Sequence, residues 1–186
     1  QVLAADNTSA KLRALVFTKT QGFRHDSIEA GTAAIKTLGT QKNWQVDSTD
    51  DASLFTDAVL AHYKVVIFMS TTGDTLNDTQ QAAFERFIRS GKGYVGIHAA
   101  ADGEYDWRWY GNLVGAYFRN HPNGTPTATV KVEDADEPST TGIPDSWTRA
   151  DEWYNFQTPN DPVVGGNQAG IPDYSPRTSG VHVLAT

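Results

Sequence analysis

The sequence predicts an α/β domain built on a mostly parallel sheet, and three observations carry that reading. Short runs rich in branched apolar residues recur at 12–18, 64–70 and 93–98. Stretches with apolar residues at helical spacing separate them. The runs are continuous rather than alternating, the pattern of strands that crossover helices cover on both faces.

After a polar lead over 1–11, LRALVFT (12–18) reads as the first buried strand and KTQGFRHD as the loop leaving it. Ile28, Gly31, Ile35 and Leu38 then recur at helical spacing, with Asp26 or Ser27 as N-cap and Gly39 as terminator. WQVDS (44–48) is a second strand, Thr56 caps a short helix reaching Tyr63, and KVVIFMS (64–70) is a third strand. TTGDTLND is a loop ending in a cap at Asn77 or Asp78. The helix after it turns Phe84, Phe87 and Ile88 to one side and stops at Gly91. GYVGIH (93–98) is the fourth strand. In the second half a helix is expected near Trp109 to Phe118, with strands at TATVKVED (127–134) and VHVLA (181–185). Residues 157–180, rich in Gly, Pro and Asn, read as one long irregular loop. No repeat or linker divides the chain, so 1–186 is expected to be one domain.

Right-handed crossovers bring the C-terminal ends of parallel strands to one rim, where α/β proteins bind ligands. His25, the 71–75 loop and His98 all follow strand ends and are expected to share it.

Composition narrows the partners. A net charge of −7 without a Lys/Arg cluster argues against nucleic acid and anionic membrane, and no apolar run nears the roughly 20 residues of a membrane span. A neutral, hydroxyl-rich ligand suits this surface. The absence of cysteine excludes disulfides, thiolate metal sites and thiol nucleophiles. A chain starting at Gln1 reads as processed or trimmed, and sequons at Asn7, Asn77 and Asn123 favour a secreted glycoprotein.

His98 is the most informative residue. In GKGYVGIHAAAD it stands where a buried strand ends, with glycine before it and three alanines behind. One reading is a histidine that bonds a backbone carbonyl there. The other is a strand-to-helix elbow of the form Gly-x-nucleophile-x-small, with imidazole presented to the rim as base or metal ligand. His25 opens a helix at the same rim, His121 ends the aromatic segment, and Glu152 lies between Asp151 and Trp153. His62 and His182 read as structural, in the short helix and the last strand. Tyr105, Trp107, Trp109, Tyr110, Trp153 and Tyr154 divide between core packing and the flat surfaces that sugar rings favour.

VFTKTQGFRHDSIEAG, the block from STTGDTLND to RNHP, and DEWYNF together resemble the ThuA-like (trehalose-utilisation) family over most of 12–156. The resemblance implies a flavodoxin-like three-layer α/β sandwich like that of class I glutamine amidotransferases. His98 then stands where the amidotransferase cysteine would be, so thiol chemistry is absent. It also implies work on 3-keto sugars, with a pocket of His25, His98, Asp102, His121 and Glu152 and with Trp107 and Tyr154 nearby. Chains of that pattern continue past the HVLAT that ends here with a further His- and Gly-rich segment.

The leading expectation is an enzyme acting on 3-keto-glycosides by metal-assisted proton abstraction, leading to epimerisation or elimination. A divalent ion, zinc or similar, would sit on His25, His98 and His121. His98, Asp102 and Glu152 are the candidate catalytic groups, and Trp107, Tyr154 and His121 the candidate sugar contacts. The alternatives are a non-catalytic sugar-binding module and a metal-dependent hydrolase.

Overall fold

The structure, a computed structural model, describes residues 12–160, 162 and 171–186. Two compact units, Gln1–Tyr105 and Asp106–Thr186, are taken in turn.

The first unit runs β1 Leu12–Phe17, α1 Ser27–Lys42, β2 Trp44–Thr49, α2 Asp57–Leu60, β3 Val65–Met69, β4 Thr72–Gly73, α3 Asp78–Arg89, β5 Gly93–Ile97 and β6 Asp102–Gly103. Four strands pair in parallel in the order β2-β1-β3-β5, the parallel sheet that the sequence pattern predicts, in the flavodoxin-like arrangement that the family resemblance implies. Because β1 lies inside the sheet, Ala14 to Phe17 are sealed on both faces, each at most 1% exposed. β5 ends the order and is only half covered: Val95 is 43% exposed, so this strand lacks the two-sided burial its composition predicts.

Phe17, Phe55, Phe68 and Phe84 form the centre of the core, with ring centroids 4.6–6.0 Å apart. Each such ring contributes about 1.5–3 kcal/mol through the apolar surface it removes from water.

The helix ends depart from expectation for local reasons. Gly39 does not terminate α1; the helix continues to Lys42 and closes on Asn43 in the left-handed region. Gly39 is instead buried against β2, where a β-carbon would come within 2.4 Å of Val46 Cγ2. Leu38, placed on the core side by its spacing, is 52% exposed, and the helix buries Ile28 and Gly39 instead. Thr56 caps α2 by accepting from Val59 N, but the helix stops at Leu60, so His62 lies exposed in the following turn. Asn77 and Gln80 form a reciprocal capping box at the start of α3.

The second unit contains α4 Arg108–Val114, β7 Tyr117–Asn120, β8 Thr127–Lys131, β9 Ser146–Ala150 and β10 Asn155–Gln157. β7 pairs antiparallel with β10, and β8 with β9. The helix expected to reach Phe118 ends at Val114 because Gly115 takes φ +94, and Phe118 lies in β7. β8 is shorter than 127–134. The strand expected at 181–185 is a single bridge, Val132 to Ala185, flanked by a Thr186 N to Lys131 O bond of 2.9 Å. Strands β9 and β10 were not anticipated, since neither shows the apolar alternation that marks a strand. Of 157–180, Gln157 belongs to β10, Tyr174 bridges Phe156, and Pro176–Ser179 form a 3-10 turn; 161 and 163–170 lie outside the described residues.

Candidate functional site

The rim at the C-terminal ends of β1, β3 and β5 is stitched together by its own loops. Gln21 N donates to Thr72 O at 2.7 Å, and Thr72 Oγ1 donates to Phe23 O at 2.8 Å. β4 pairs in parallel with β6, Thr72 facing Asp102 and Gly73 facing Gly103. At Gly103 a β-carbon would sit 2.6 Å from Gly73 O, so the two loops meet this closely only through glycine.

Glu104 locks the arrangement, and sequence reasoning missed it. It is 3% exposed at φ +55 and accepts from Thr75 N (2.8 Å), Thr75 Oγ1 (2.7 Å), Leu76 N (3.0 Å) and Gln81 Nε2 (2.8 Å). Burial pushes its carboxyl above the usual range, against the pull of these bonds. The signal available in the sequence was an acid immediately after the Asp102-Gly103 pair, which reads more readily as solvated loop.

His98 has the geometry of an elbow. Its φ is +50, a conformation that side chains with a β-carbon rarely adopt, and it is the first residue of a 3-10 turn over His98–Ala101. Ala99, Ala100 and Ala101 behind it are buried, and a β-carbon at Gly96 would lie 2.7 Å from the Tyr94 hydroxyl and 3.3 Å from Ala100 Cβ. The small residues are therefore required by packing. Among the described residues, the non-glycine positions with positive φ are Asn43, which ends α1, and Ser70, His98 and Glu104, all at this rim. Backbone strain gathered in one place is characteristic of functional sites.

The His98 ring stands edge-on to that of His25, with centroids 4.7 Å apart and planes at 80°. One nitrogen of each comes within 4.8 Å of the other. Phe23, 67% exposed, presents its own edge contact to His25 at 4.8 Å. Asp102 accepts from the Tyr105 hydroxyl at 2.7 Å. Burial raises the Asp102 carboxyl, with the Tyr105 bond and nearby His25 acting in the opposite direction.

The remaining predicted residues belong to the second unit. His121 Nε2 lies 3.8 Å from Glu152 Oε1, and its Nδ1 lies 2.7 Å from Pro122 O, which assigns the Nδ1 proton. Tyr154 packs on Phe118 at 4.3 Å and lies nearly parallel to the His121 ring at 6.0 Å. Trp107 stacks with Trp109 and Tyr110 in a packed aromatic group, 5.0 and 5.7 Å away. Taken unit by unit, the predicted set comprises His25, His98 and Asp102 in the first, and His121 with Glu152 and Tyr154, and Trp107 in its own aromatic group, in the second. Asn77 and Asn123 are exposed; Asn7 lies outside the described residues.

The sequence profile of a family described as "ThuA: Trehalose utilisation" matches residues 13–169. A ThuA-like protein of Bacteroides uniformis superposes with a TM-score of 0.70 at 27% identity, covering 84% of this chain and 66% of that one. A ThuA-like protein of Parabacteroides merdae shares the fold at TM-score 0.62 and 16% identity, covering 80% of this chain and 64% of that one. The chain thus spans just under two thirds of the length of these relatives. No curated protein matches it.

Proposed function

The chain belongs to the ThuA, trehalose-utilisation, family, and from that membership we propose that it acts on oxidised glycosides by removing the proton beside a sugar keto group. The observation that carries the reading is His98 at φ +50, its ring against His25 and a carboxylate of raised basicity, Asp102, at the same rim.

A ketone acidifies the C–H bonds next to it. In a 3-keto-glycoside the carbon adjacent to the ketone on one side bears hydrogen, and the next carbon bears the glycosidic oxygen. Asp102 takes the proton onto a carboxylate oxygen, and the C–H electron pair moves toward the keto oxygen. Tyr105 holds the Asp102 side chain by its 2.7 Å bond, and the raised carboxyl is the stronger base. His25 and His98 face the oxygen on which charge develops and donate hydrogen bonds to it. A proton delivered from solvent to the other face inverts the carbon; alternatively a C=C bond forms to the anomeric carbon as the glycosidic C–O bond breaks, and the leaving oxygen takes a proton from solvent, releasing an alcohol and an unsaturated keto sugar. The exposed Phe23 offers an apolar surface to the sugar's C–H groups.

The His25–His98 pair also fits two of the three protein ligands of a catalytic zinc site. An ion bound there would supply Lewis acidity at the keto oxygen.

The test is to incubate the protein with a 3-keto-glycoside of a chromogenic alcohol and follow alcohol release and sugar configuration by NMR. Epimer or released alcohol in proportion to protein supports the reading. Saturable binding with the sugar unchanged assigns the protein to the sugar-binding alternative.

A further inference from the structure

A second constellation, remote in sequence from the rim residues, lies within the second unit. Asp134, Glu137 and His182 each place one ligand atom within 4.8 Å of the others. We propose that this set is a zinc site that ties the C-terminal segment to the loop after β8.

The geometry is prepared rather than incidental. His182 Nε2 lies 3.0 Å from Asp134 Oδ2, and Nδ1 lies 4.0 Å from Glu137 Oε1. Asp134 Oδ1 is already occupied by the Asp136 N–H at 3.0 Å, which fixes the carboxylate and turns Oδ2 toward the imidazole. The loop carrying both acids is wound tightly on itself. The Thr140 hydroxyl donates to Asp134 O at 2.6 Å, and Glu137 O accepts from Thr140 N at 3.0 Å and Thr141 N at 3.1 Å. The segment carrying His182 is held in register by Glu133 N to Leu184 O at 2.8 Å and by the Val132–Ala185 bridge. Two pinned segments thus converge on one point with three donors. A tetrahedral zinc with bonds of about 2.0–2.2 Å separates its ligands by about 3.3–3.6 Å, so one ring nitrogen of His182 binds and the ring turns from its place between the two acids.

The donor set selects the ion. One imidazole and two carboxylates suit zinc, whereas calcium and magnesium take oxygen alone. Two carboxylates carry charge that a divalent cation compensates, and solvent completes the coordination.

Calorimetric titration of the whole chain with zinc chloride tests the site, with thermal melts in parallel. His98→Ala removes the rim histidine, and His182→Ala and Asp134→Asn are made in that same His98→Ala background as the site variants. The expected result is a zinc equivalent retained in His98→Ala but weakened in both site variants by at least the roughly 10–100-fold that loss of a supporting partner costs. Zinc should raise the melting temperature of His98→Ala and not of His182→Ala, and EDTA should reverse the rise. His182 is 61% exposed, so its removal leaves the fold intact to be measured. Zinc affinity unchanged in His182→Ala, or a His98→Ala protein that neither binds zinc nor gains stability from it, overturns the proposal. The second outcome would reduce the cluster to direct contacts between His182 and the two acids. Loss of turnover in the rim variants bears on the proposed reaction alone and leaves the zinc site as it was.

Discussion

Tyr105 donates its phenolic hydrogen to Asp102 Oδ1 at 2.7 Å, and this bond opposes the burial that makes Asp102 more basic than an ordinary aspartate. The bond favours the ionised carboxylate. Removing it in Tyr105→Phe raises the Asp102 carboxyl further, since burial then acts with less opposition. The reaction needs the carboxylate form, so the acid limb of the kcat/KM profile for a 3-keto-glycoside should move to higher pH. An acid limb that stays in place, or moves lower, separates Asp102 from the base.

His98 carries a conformation that glycine adopts without strain. In His98→Gly the backbone is relieved, and we expect stability equal to the parent or higher by up to about 1 kcal/mol. His98→Ala, which loses no apolar packing, should remain folded, and both variants should lose turnover. Replacing the exposed His62, in the turn after α2, should change neither property. Thermal melts and turnover on the three variants give the comparison. A large loss of stability in His98→Gly would return His98 to a structural role.

The residues that made this rim legible in the sequence were those whose chemistry depends on near neighbours. The glycine before His98 and the alanines after it spell the elbow locally, and the branched run of β1 announces a covered strand. What escaped depends on partners distant in the chain. Glu104 acquires its role only when the 72–76 loop folds over it, and Gly39 reads as a helix stop until Val46 is packed beneath it. β9 and β10 escaped because SWTRA and NFQ carry too little apolar pattern to declare a strand without their partners β8 and β7. The His121–Glu152 pairing was foreseen as two candidate residues, but not as a direct contact, because a separation of 31 positions gives no register.

Glu104 should therefore matter to stability more than any rim histidine. Glu104→Ala leaves the buried Thr75 and Leu76 N–H groups without an acceptor, and we expect a loss of about 2–4 kcal/mol by denaturant unfolding. The pH dependence has a definite sign. A carboxyl raised in the folded state contributes stability fully at pH below its unfolded value, and that contribution is lost as pH rises through the folded value. Glu104→Gln does not titrate, so its deficit relative to the parent should shrink as pH rises above the ordinary carboxylate range. A deficit that grows over that range would mean that the four bonds outweigh burial and hold the carboxyl low.

Hydrogen exchange at the sugar carbon beside the ketone tests the central claim most directly, because it reports proton abstraction whether the sugar then epimerises or eliminates. A 3-keto-glycoside is incubated with the protein in deuterium oxide, and the C–H signal adjacent to the ketone is followed by NMR. The account predicts loss of that signal at a rate proportional to the parent protein. It predicts no loss above the buffer rate with Asp102→Asn, which keeps the shape of the side chain but removes the base. Exchange that is equally fast with Asp102→Asn, or absent with a parent protein that binds the sugar, would contradict it.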